Sequence, residues 1–392
     1  MDPRKIRENI YWMGFQDWDS RLFDSLIPLP DGTSYNAYLI KGSEKTVLID
    51  TVESPLFHEL EAQLQDVPKL DYVISLHAEQ DHSGSLHHVL ARYPDAKLIT
   101  STKAKSLLMD ILPIAEESII TVSDGETLSL GDKTLEFIYT PWVHWPETMV
   151  AYLREDKILF SCDFFGAHIA STDLFVTDEA RIYEAAKRYY AEVMMPFRKI
   201  IRKNLDKISA LDLDLIAPSH GQIYSRPEFI IEAHKEWVGD TLKNTVVLPY
   251  ISMHHSTKIM VDFLTASLVK KGVKVELFNL TVTDIGKLAM ALVDAGTIVM
   301  GTPTVLSGPH PNVVYGAYLA NALRPKVKFL SIIGSYGWGG KSVEILAGMI
   351  PNLKVEILDP VLAKGTPSEV DFAALENLAQ TIATKHQELG FE

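Results

Sequence analysis

Four side chains of the types that bind metal ions occur within six consecutive residues of this chain. They lie in the segment HAEQDH, which begins at His77 and also contains Glu79, Asp81 and His82. The segment follows DYVISL, an apolar stretch whose composition is typical of a buried strand. Imidazoles and carboxylates gathered at the end of a strand indicate a sheet edge that carries a metal centre.

Three further candidate ligands follow other predicted strands. His144 comes after LEFIYT, Asp163 ends KILFSCD, and His220 comes after LDLIAP. Loops at one edge of a layered α/β structure converge, so we expect these side chains to meet the HAEQDH segment. Six other histidines are more simply explained as single hydrogen-bonded core or surface residues: His58, His87, His88, His234, His310 and His386.

The ligand types narrow the choice of metal. Imidazole with carboxylate suits iron, zinc or manganese, and the two oxygens of Asp163 could bridge two ions. Cys162 is the only cysteine, which excludes a four-thiolate iron site or an iron–sulfur cluster within the chain. Because side chains alternate along a strand, we expect Cys162 to point away from the face that Asp163 uses. The seven candidates could fill two adjacent metal sites.

The chain has 392 residues, enough for two domains, and its two parts have different patterns. Residues 1–245 contain many predicted strands with helices between some of them, which indicates a layered α/β domain. Residues 246–392 alternate regularly between strand and helix, with five strands joined by helical crossovers. This alternation predicts a doubly wound, five-stranded parallel sheet.

Three loops of the second domain indicate a flavin site. The first, SMHHST, runs directly into a helix, so its hydroxyls and the first backbone N–H groups can bind a phosphate. A plain helix cap is the alternative. The loop resembles that of flavodoxin, which binds FMN, and two later loops would flank the flavin ring. The predicted FMN-binding residues are Ser252, Met253, His254, His255, Ser256, Thr257, Thr302, Pro303, Thr304, Val305, Leu306, Ser335, Tyr336, Gly337, Trp338 and Gly339.

The string HAEQDH matches the H-x-E-x-D-H motif of the flavodiiron proteins, and the resemblance covers nearly the whole chain. Hydrolases of the same fold usually carry H-x-H-x-D-H, so Glu79 stands where they have a histidine. The resemblance implies an N-terminal metallo-β-lactamase-like αββα sandwich followed by a flavodoxin-like domain. One departure is that His254 and His255 occupy positions where members often have an aromatic residue such as tryptophan.

The resemblance also implies roles for individual residues. One iron would be held by His77, Glu79 and His144, and the second by Asp81 and His220, with Asp163 bridging the two. His82 matches a position that ligates iron in some members and not in others, so its role stays open. Two further residues resemble those that line the substrate pocket of the family, with helix packing as the alternative for the tyrosine: Tyr190 and His168.

The function implied by the resemblance is reduction of dioxygen to water, of nitric oxide to nitrous oxide, or of both. Electrons would reach the irons through FMN from a rubredoxin-like protein, which must be separate because the chain has one cysteine. The family works as a head-to-tail homodimer, possibly as a dimer of dimers. The alternative is a zinc-dependent hydrolase of thioesters or lactones with an accessory flavodoxin domain.

Charge and hydropathy limit the remaining classes of function. The net charge of −14 argues against nucleic acid as a partner. No apolar run approaches the roughly 20 residues that a membrane span needs, and the first residues lack the apolar core of a signal peptide. With a single cysteine, these features favour a cytoplasmic protein.

Overall fold

The computed structural model describes residues 2–391 of the chain. The chain divides into two compact units, Met1–Tyr190 with Phe197–Val238, and Ala191–Pro196 with Gly239–Glu392. The division falls slightly before the predicted boundary, and the predicted domains 1–245 and 246–392 stay a prediction. No helix among residues 2–391 is long and apolar enough to cross a membrane.

The first unit contains two sheets. The larger has the order β1-β2-β5-β6-β7-β8-β9, the smaller has the order β10-β11-β12-β13-β14, and β3 pairs with β4 in a short hairpin. The strands are β1 Arg4–Arg7, β2 Ile10–Asp17, β3 Leu22–Phe23, β4 Ile27–Pro28, β5 Thr33–Lys41, β6 Thr46–Ile49, β7 Tyr72–Ile74, β8 Lys97–Ser101, β9 Ile119–Val122, β10 Thr127–Ser129, β11 Thr134–Tyr139, β12 Met149–Leu153, β13 Ile158–Cys162 and β14 Leu215–Pro218.

Helices accompany both sheets of this unit. They are α1 Phe57–Gln63, α2 Gln80–Ser83, α3 Leu86–Arg92, α4 Thr102–Ile111, α5 Glu179–Tyr189, α6 Arg198–Ile208 and α7 Pro227–Val238.

Alternation along the strands explains how the sheets pack. In β5, Tyr38 and Ile40 point into the core between the sheets, where the Tyr38 ring lies 5.0 Å from that of Phe160. Residues of the opposite parity, such as Leu39, point to a second core shared with the helices. All five residues of β12 and of β13 are buried, so these two strands of the smaller sheet are covered on both faces. The predicted αββα sandwich is confirmed.

The second unit is a parallel sheet of the order β16-β15-β17-β19-β20. Its strands are β15 Lys243–Tyr250, β16 Lys274–Asn279, β17 Ala295–Val305, β18 Gly308–Pro309, β19 Phe329–Tyr336, β20 Glu356–Ile357 and β21 Val361–Lys364, and its helices are α8 Ser256–Lys270, α9 Ile285–Leu292, α10 Pro311–Leu323, α11 Ser342–Gly348 and α12 Glu369–Glu388.

The doubly wound prediction is confirmed, with one difference. The fifth strand is split into β20 and β21, both of which pair with β19 in parallel. Pro360 lies in the interruption and has no N–H group to donate to a neighbouring strand. The first strand, β15, lies between β16 and β17, so the order of strands reverses there. Ligands of such sheets bind at the carboxyl ends of the strands beside this reversal.

Candidate metal centre

The predicted ligands come from loops at the ends of strands in both sheets of the first unit. His77 follows β7, and the short helix α2 presents Asp81 and His82 on its buried side. Asp163 follows β13, and His220 follows β14. All five of these side chains are buried, so the sandwich holds them rigidly.

Asp50 and Thr51, just after β6, form hydrogen bonds with two of these loops and with α2. One oxygen of Asp50 accepts a hydrogen bond of 2.8 Å from the backbone N–H of Leu76, and the other lies 3.4 Å from the hydroxyl of Ser219. Thr51 donates to the carbonyl of His82 at 2.6 Å. Burial raises the pKa of Asp50 to about 6. Each contact involves a predicted ligand or the residue beside one, so Asp50 and Thr51 fix the spacing of the ligand loops.

The seven predicted ligands form two groups that meet at Asp163. In the first group, His77 Nε2 and His144 Nε2 lie 3.1 Å and 3.0 Å from Glu79 Oε2. The same two nitrogens lie 3.5 Å and 3.4 Å from Asp163 Oδ2. This group therefore faces one oxygen of Asp163.

The second group faces the other oxygen of Asp163. His82 Nε2 lies 3.0 Å from Asp163 Oδ1 and 3.2 Å from Asp81 Oδ2. His220 Nε2 lies 3.0 Å from Asp81 Oδ2 and 3.5 Å from Asp163 Oδ1. Within each group the ligand atoms lie within 4.8 Å of one another. The structure thus places His82 with Asp81 and His220.

Buried oxygens without hydrogen bonds show that this arrangement fits cations. Both oxygens of Asp81 and both oxygens of Asp163 are buried and have no hydrogen-bond partner of good geometry among the described residues. A buried carboxylate without donors is costly unless a cation balances it. Two metal ions, one for each group, would satisfy these oxygens.

Electrostatics lead to the same conclusion. Burial opposes protonation of His77, His82 and His144, but the surrounding carboxylates outweigh it and raise the pKa of each to about 10. Burial also opposes ionisation of Glu79 and Asp163, yet the neighbouring imidazoles hold their pKa values well below the usual range. Without metal ions, the carboxylates of the centre are balanced by protonated imidazoles.

Residues behind the ligands orient the imidazoles. Glu147 Oε1 lies 2.7 Å from His77 Nδ1, and the side chains of both residues are fully buried. His220 Nδ1 lies 2.6 Å from the carbonyl oxygen of Ser34. Sequence reasoning missed Glu147; its only signal was its place three residues after His144 in the same loop.

The two predicted pocket residues differ in position. The His168 ring lies 4.8 Å from that of His220. Tyr190 packs on Trp237 with ring centroids 5.5 Å apart and donates a hydrogen bond to the Trp237 carbonyl, which is the packing alternative. Its neighbour Tyr189 is the tyrosine at the centre, 4.8 Å from His168 and 5.9 Å from His220. Successive helical residues are about 100° apart, so one tyrosine faces the centre and the other does not.

The expectation for Cys162 is wrong. Its sulfur lies within 4.8 Å of ligand atoms of His82 and Asp163. The φ angle of Cys162 is +51°, which breaks the alternation of side chains at the end of β13. Burial raises the pKa of the thiol well above its usual range, so Cys162 is a neutral thiol beside the centre.

The loops of the second unit lie where a flavin site was predicted. Helix α8 has 15 residues and begins at Ser256, and Ser252 Oγ accepts a hydrogen bond of 3.1 Å from its third backbone N–H, that of Lys258. Thr257 Oγ1 lies 3.0 Å from Ser335 Oγ, which joins the start of α8 to the end of β19. The helix N-terminus and these hydroxyls suit the phosphate of FMN.

Two apolar side chains of the other predicted FMN segments point to solvent. Leu306 is 95 % exposed and Trp338 is 80 % exposed. A Cβ atom added at Gly337 or Gly339 would meet nothing within 4 Å, so the loop around Trp338 borders open space. Flat apolar surface next to open space suits an isoalloxazine ring.

One segment of the predicted FMN set is placed differently from expectation. Strand β17 continues to Val305, so the segment that begins at Thr302 is the end of a strand and not a loop. Thr302 is buried, and its hydroxyl donates to the Pro303 carbonyl and accepts from the His310 N–H. Met253, His254 and His255 lie exposed in the loop before α8.

Comparison with known proteins agrees with this geometry. Residues 33–221 match the family model described as ODP family beta lactamase. The chain is 37 % identical to a nitric oxide reductase of Moorella thermoacetica, over 91 % of each chain. The structure of the rubredoxin oxygen:oxidoreductase of Desulfovibrio gigas superimposes with a TM-score of 0.94 at 31 % identity, covering 98 % of this chain and 99 % of that one.

A further similar structure is that of a flavodiiron protein. The flavodiiron protein of Giardia intestinalis superimposes with a TM-score of 0.92 at 26 % identity, covering 100 % of this chain and 98 % of that one. These likenesses extend across both units, and the converging ligands and strand-end loops agree with them. The chain therefore belongs to the flavodiiron proteins, a family of oxidoreductases whose cofactors are FMN and a pair of iron ions.

Proposed function

We propose that this chain reduces dioxygen to water, nitric oxide to nitrous oxide, or both, at two irons that receive electrons through FMN. The observation that carries the proposal is the arrangement at Asp163, whose two oxygens each face a separate group of ligands. Glu79 adds an anionic oxygen to the first group, which favours iron in higher oxidation states over the zinc of a hydrolase.

The two groups define which residues would hold each ion. One iron would be held by His77, Glu79 and His144, and the other by Asp81, His82 and His220, with Asp163 shared. We include His82 because its Nε2 lies 3.2 Å from Asp81 Oδ2 and 3.0 Å from Asp163 Oδ1, compared with 3.0 Å and 3.5 Å for the Nε2 of His220. Bound iron supplies the site at which the gas binds and is reduced.

Residues beside His220 shape the place where the gas would bind. Burial holds the pKa of His168 well below its usual range, so this imidazole stays neutral. Its Nδ1 lies 2.8 Å from the hydroxyl of Thr33, whereas its buried Nε2 has no partner among the described residues. Nε2 is therefore the atom that can form a hydrogen bond with a bound molecule. Phe23 and Tyr189 pack against the same ring at 4.8 Å each and exclude water from it.

FMN would be held by the loops of the second unit. The N-terminus of α8 would bind its phosphate through Ser256, Thr257 and Ser252. The exposed side chains of Leu306 and Trp338 would contact its ring. A ring held on such open loops needs a second surface to cover it, which supports the head-to-tail homodimer known in the family. The electron donor would be a separate rubredoxin-like protein, and the lone cysteine favours a cytoplasmic location.

Anaerobic stopped-flow mixing tests the activity. The fully reduced protein is mixed with dioxygen or with nitric oxide, and flavin reoxidation is followed by absorbance. Reoxidation much faster than that of free FMN by at least one gas supports the proposal, and the ratio of the two rates identifies the preferred substrate. Reoxidation no faster than that of free FMN by either gas, in protein that holds two irons per chain, would contradict it.

Mixing two inactive variants tests the dimer. Asp163→Ala removes the shared ligand of the metal centre, and Ser256→Glu places a negative charge where the phosphate would bind. In a head-to-tail dimer, hybrids regain one complete route from the flavin of one chain to the irons of the other. Mixed and reassembled variants should therefore recover activity. An inactive mixture with proven hybrid dimers would show that both cofactors act within one chain.

A further inference from the structure

Glu147 gives the metal centre an asymmetry that the ligands themselves lack. Its Oε1 accepts hydrogen bonds from His77 Nδ1 at 2.7 Å and from the backbone N–H of Ala78 at 3.1 Å. The side chains of Glu147 and His77 are both fully buried. Across residues 2–391, no other carboxylate is hydrogen-bonded to the Nδ1 atom of a candidate ligand histidine.

The two groups of ligands are otherwise balanced in charge. Each has one carboxylate of its own, Glu79 or Asp81, and each shares Asp163. The second group has a hydrogen bond behind His220, but its acceptor is the neutral carbonyl of Ser34 at 2.6 Å. The negative charge of Glu147 behind His77 therefore distinguishes the two groups, and it acts through a ligand histidine.

We propose that Glu147 is a positioning residue that makes the two iron positions unequal, so that the iron held by His77 is the last to be reduced. The inference rests on the proposed function, because it requires iron in both groups. Glu147 fixes the His77 ring with Nε2 toward the metal, and its negative charge makes that nitrogen a stronger donor. A stronger donor stabilises the oxidised ion more than the reduced one. In a dry site the effect is not screened by water.

The consequence is a half-reduced state with a defined distribution of charge. With iron in both groups, the first electron would go to the position held by Asp81, His82 and His220. A larger difference in reduction potential between the two iron positions would widen the range of applied potential over which the half-reduced pair persists. A wide range would allow a loaded centre to hold a single electron until the flavin supplied the second.

Glu147→Gln tests this inference with little change of shape. The amide oxygen can still accept from His77 and Ala78, whereas the negative charge is lost. Holoprotein of the wild type and of the variant is titrated anaerobically with reductant, and the half-reduced pair is measured by electron paramagnetic resonance. The equilibrium constant for forming the half-reduced pair from oxidised and reduced pairs should fall about fivefold, since a charge-assisted hydrogen bond becomes a neutral one. An unchanged or larger constant would overturn the inference.

Glu53→Gln is the matched control. Glu53 is half-buried, and its pKa is raised first by burial and then by Asp81, so it lies on the side of the second group. This variant should leave the constant unchanged or increase it. A decrease equal to that of Glu147→Gln would show a general effect of charge and overturn the inference.

A second variant keeps the test decisive if Glu147→Gln does not hold two irons. Glu147→Asp keeps the charge but withdraws it from His77 by one methylene. A smaller constant than in the wild type supports the inference, and an equal or larger one overturns it. Two resolved one-electron steps and gas-dependent reoxidation in the wild type would uphold the proposed function whatever the variants show, so the two failures are distinguishable.

Discussion

Loading the metal-free protein with ferrous iron should release about three protons per chain. The carboxylates raise the pKa of His77, His82 and His144 to about 10 against the opposing effect of burial, so all three rings are protonated at pH 8. Each Nε2 must lose its proton before it can bind a metal ion. Below pH 10, metal binding therefore strengthens as the pH rises. The product of the two binding constants should change about a thousandfold per pH unit, tenfold for each proton.

Anaerobic titration calorimetry measures this release. The binding enthalpy is compared in two buffers that differ in ionisation enthalpy, and the difference gives the number of protons taken up by the buffer. His144→Gln is the matched variant, because it removes one of the three rings and should lower the number by about one. Release of fewer than about one proton by the wild type at pH 8 would refute the reasoning, since it would mean that the carboxylates do not hold the imidazoles in the charged form.

Three further predictions concern the shared ligand, a buried histidine and the flavin loops. Asp163→Asn should lower the iron content of both positions, measured by elemental analysis, because its two oxygens face both groups. Burial lowers the pKa of His234 to about 4, so the unfolded state takes up a proton first as the pH falls below 6.5. Between neutral pH and pH 5 the wild type should therefore lose roughly 2 kcal/mol of its free energy of unfolding, measured with urea. The variant His234→Gln should not show this loss, whereas the variant of the exposed His58, His58→Gln, should show it. Trp338→Ala should weaken FMN binding about tenfold in fluorescence titrations, and the equally exposed Val282→Ala should have no effect.

The metal centre could be predicted from the sequence because each candidate ligand follows a strand. Strand ends of a layered fold converge, so the position of His77, Asp163 or His220 in the sequence already fixes its approximate place. The sequence offers no such guide to which of two adjacent tyrosines faces the centre, because either could pack in the core. Tyr189 ends α5 and Tyr190 directly follows it, so the two differ only in the side of the helical path that they occupy, and that side is set by packing of Tyr190 against Trp237.

Residues behind the ligands were harder to predict for a physical reason. The role of Glu147 depends on the distance from its carboxylate to His77 Nδ1, and those residues are 70 positions apart in the chain. The orientation of Cys162 depends on a left-handed backbone angle that its sequence neighbours do not require. Thr302 was expected in a loop, but β17 continues through it because its pairing with β19 extends to Pro303.

Charge connects the ligand set to the proposed chemistry. Three carboxylates, Glu79, Asp81 and Asp163, contact the four candidate imidazoles, so two ferrous ions would leave the ligand set with a net charge of +1 and two ferric ions with +3. A histidine in place of Glu79, as hydrolases of this fold usually have, would add one positive charge to each state. Because electrostatic repulsion grows with the square of the charge, that addition would penalise the ferric state more. Glu79 therefore lowers the cost of oxidation at the centre, and Glu147 adds its charge behind His77, in the same group of ligands.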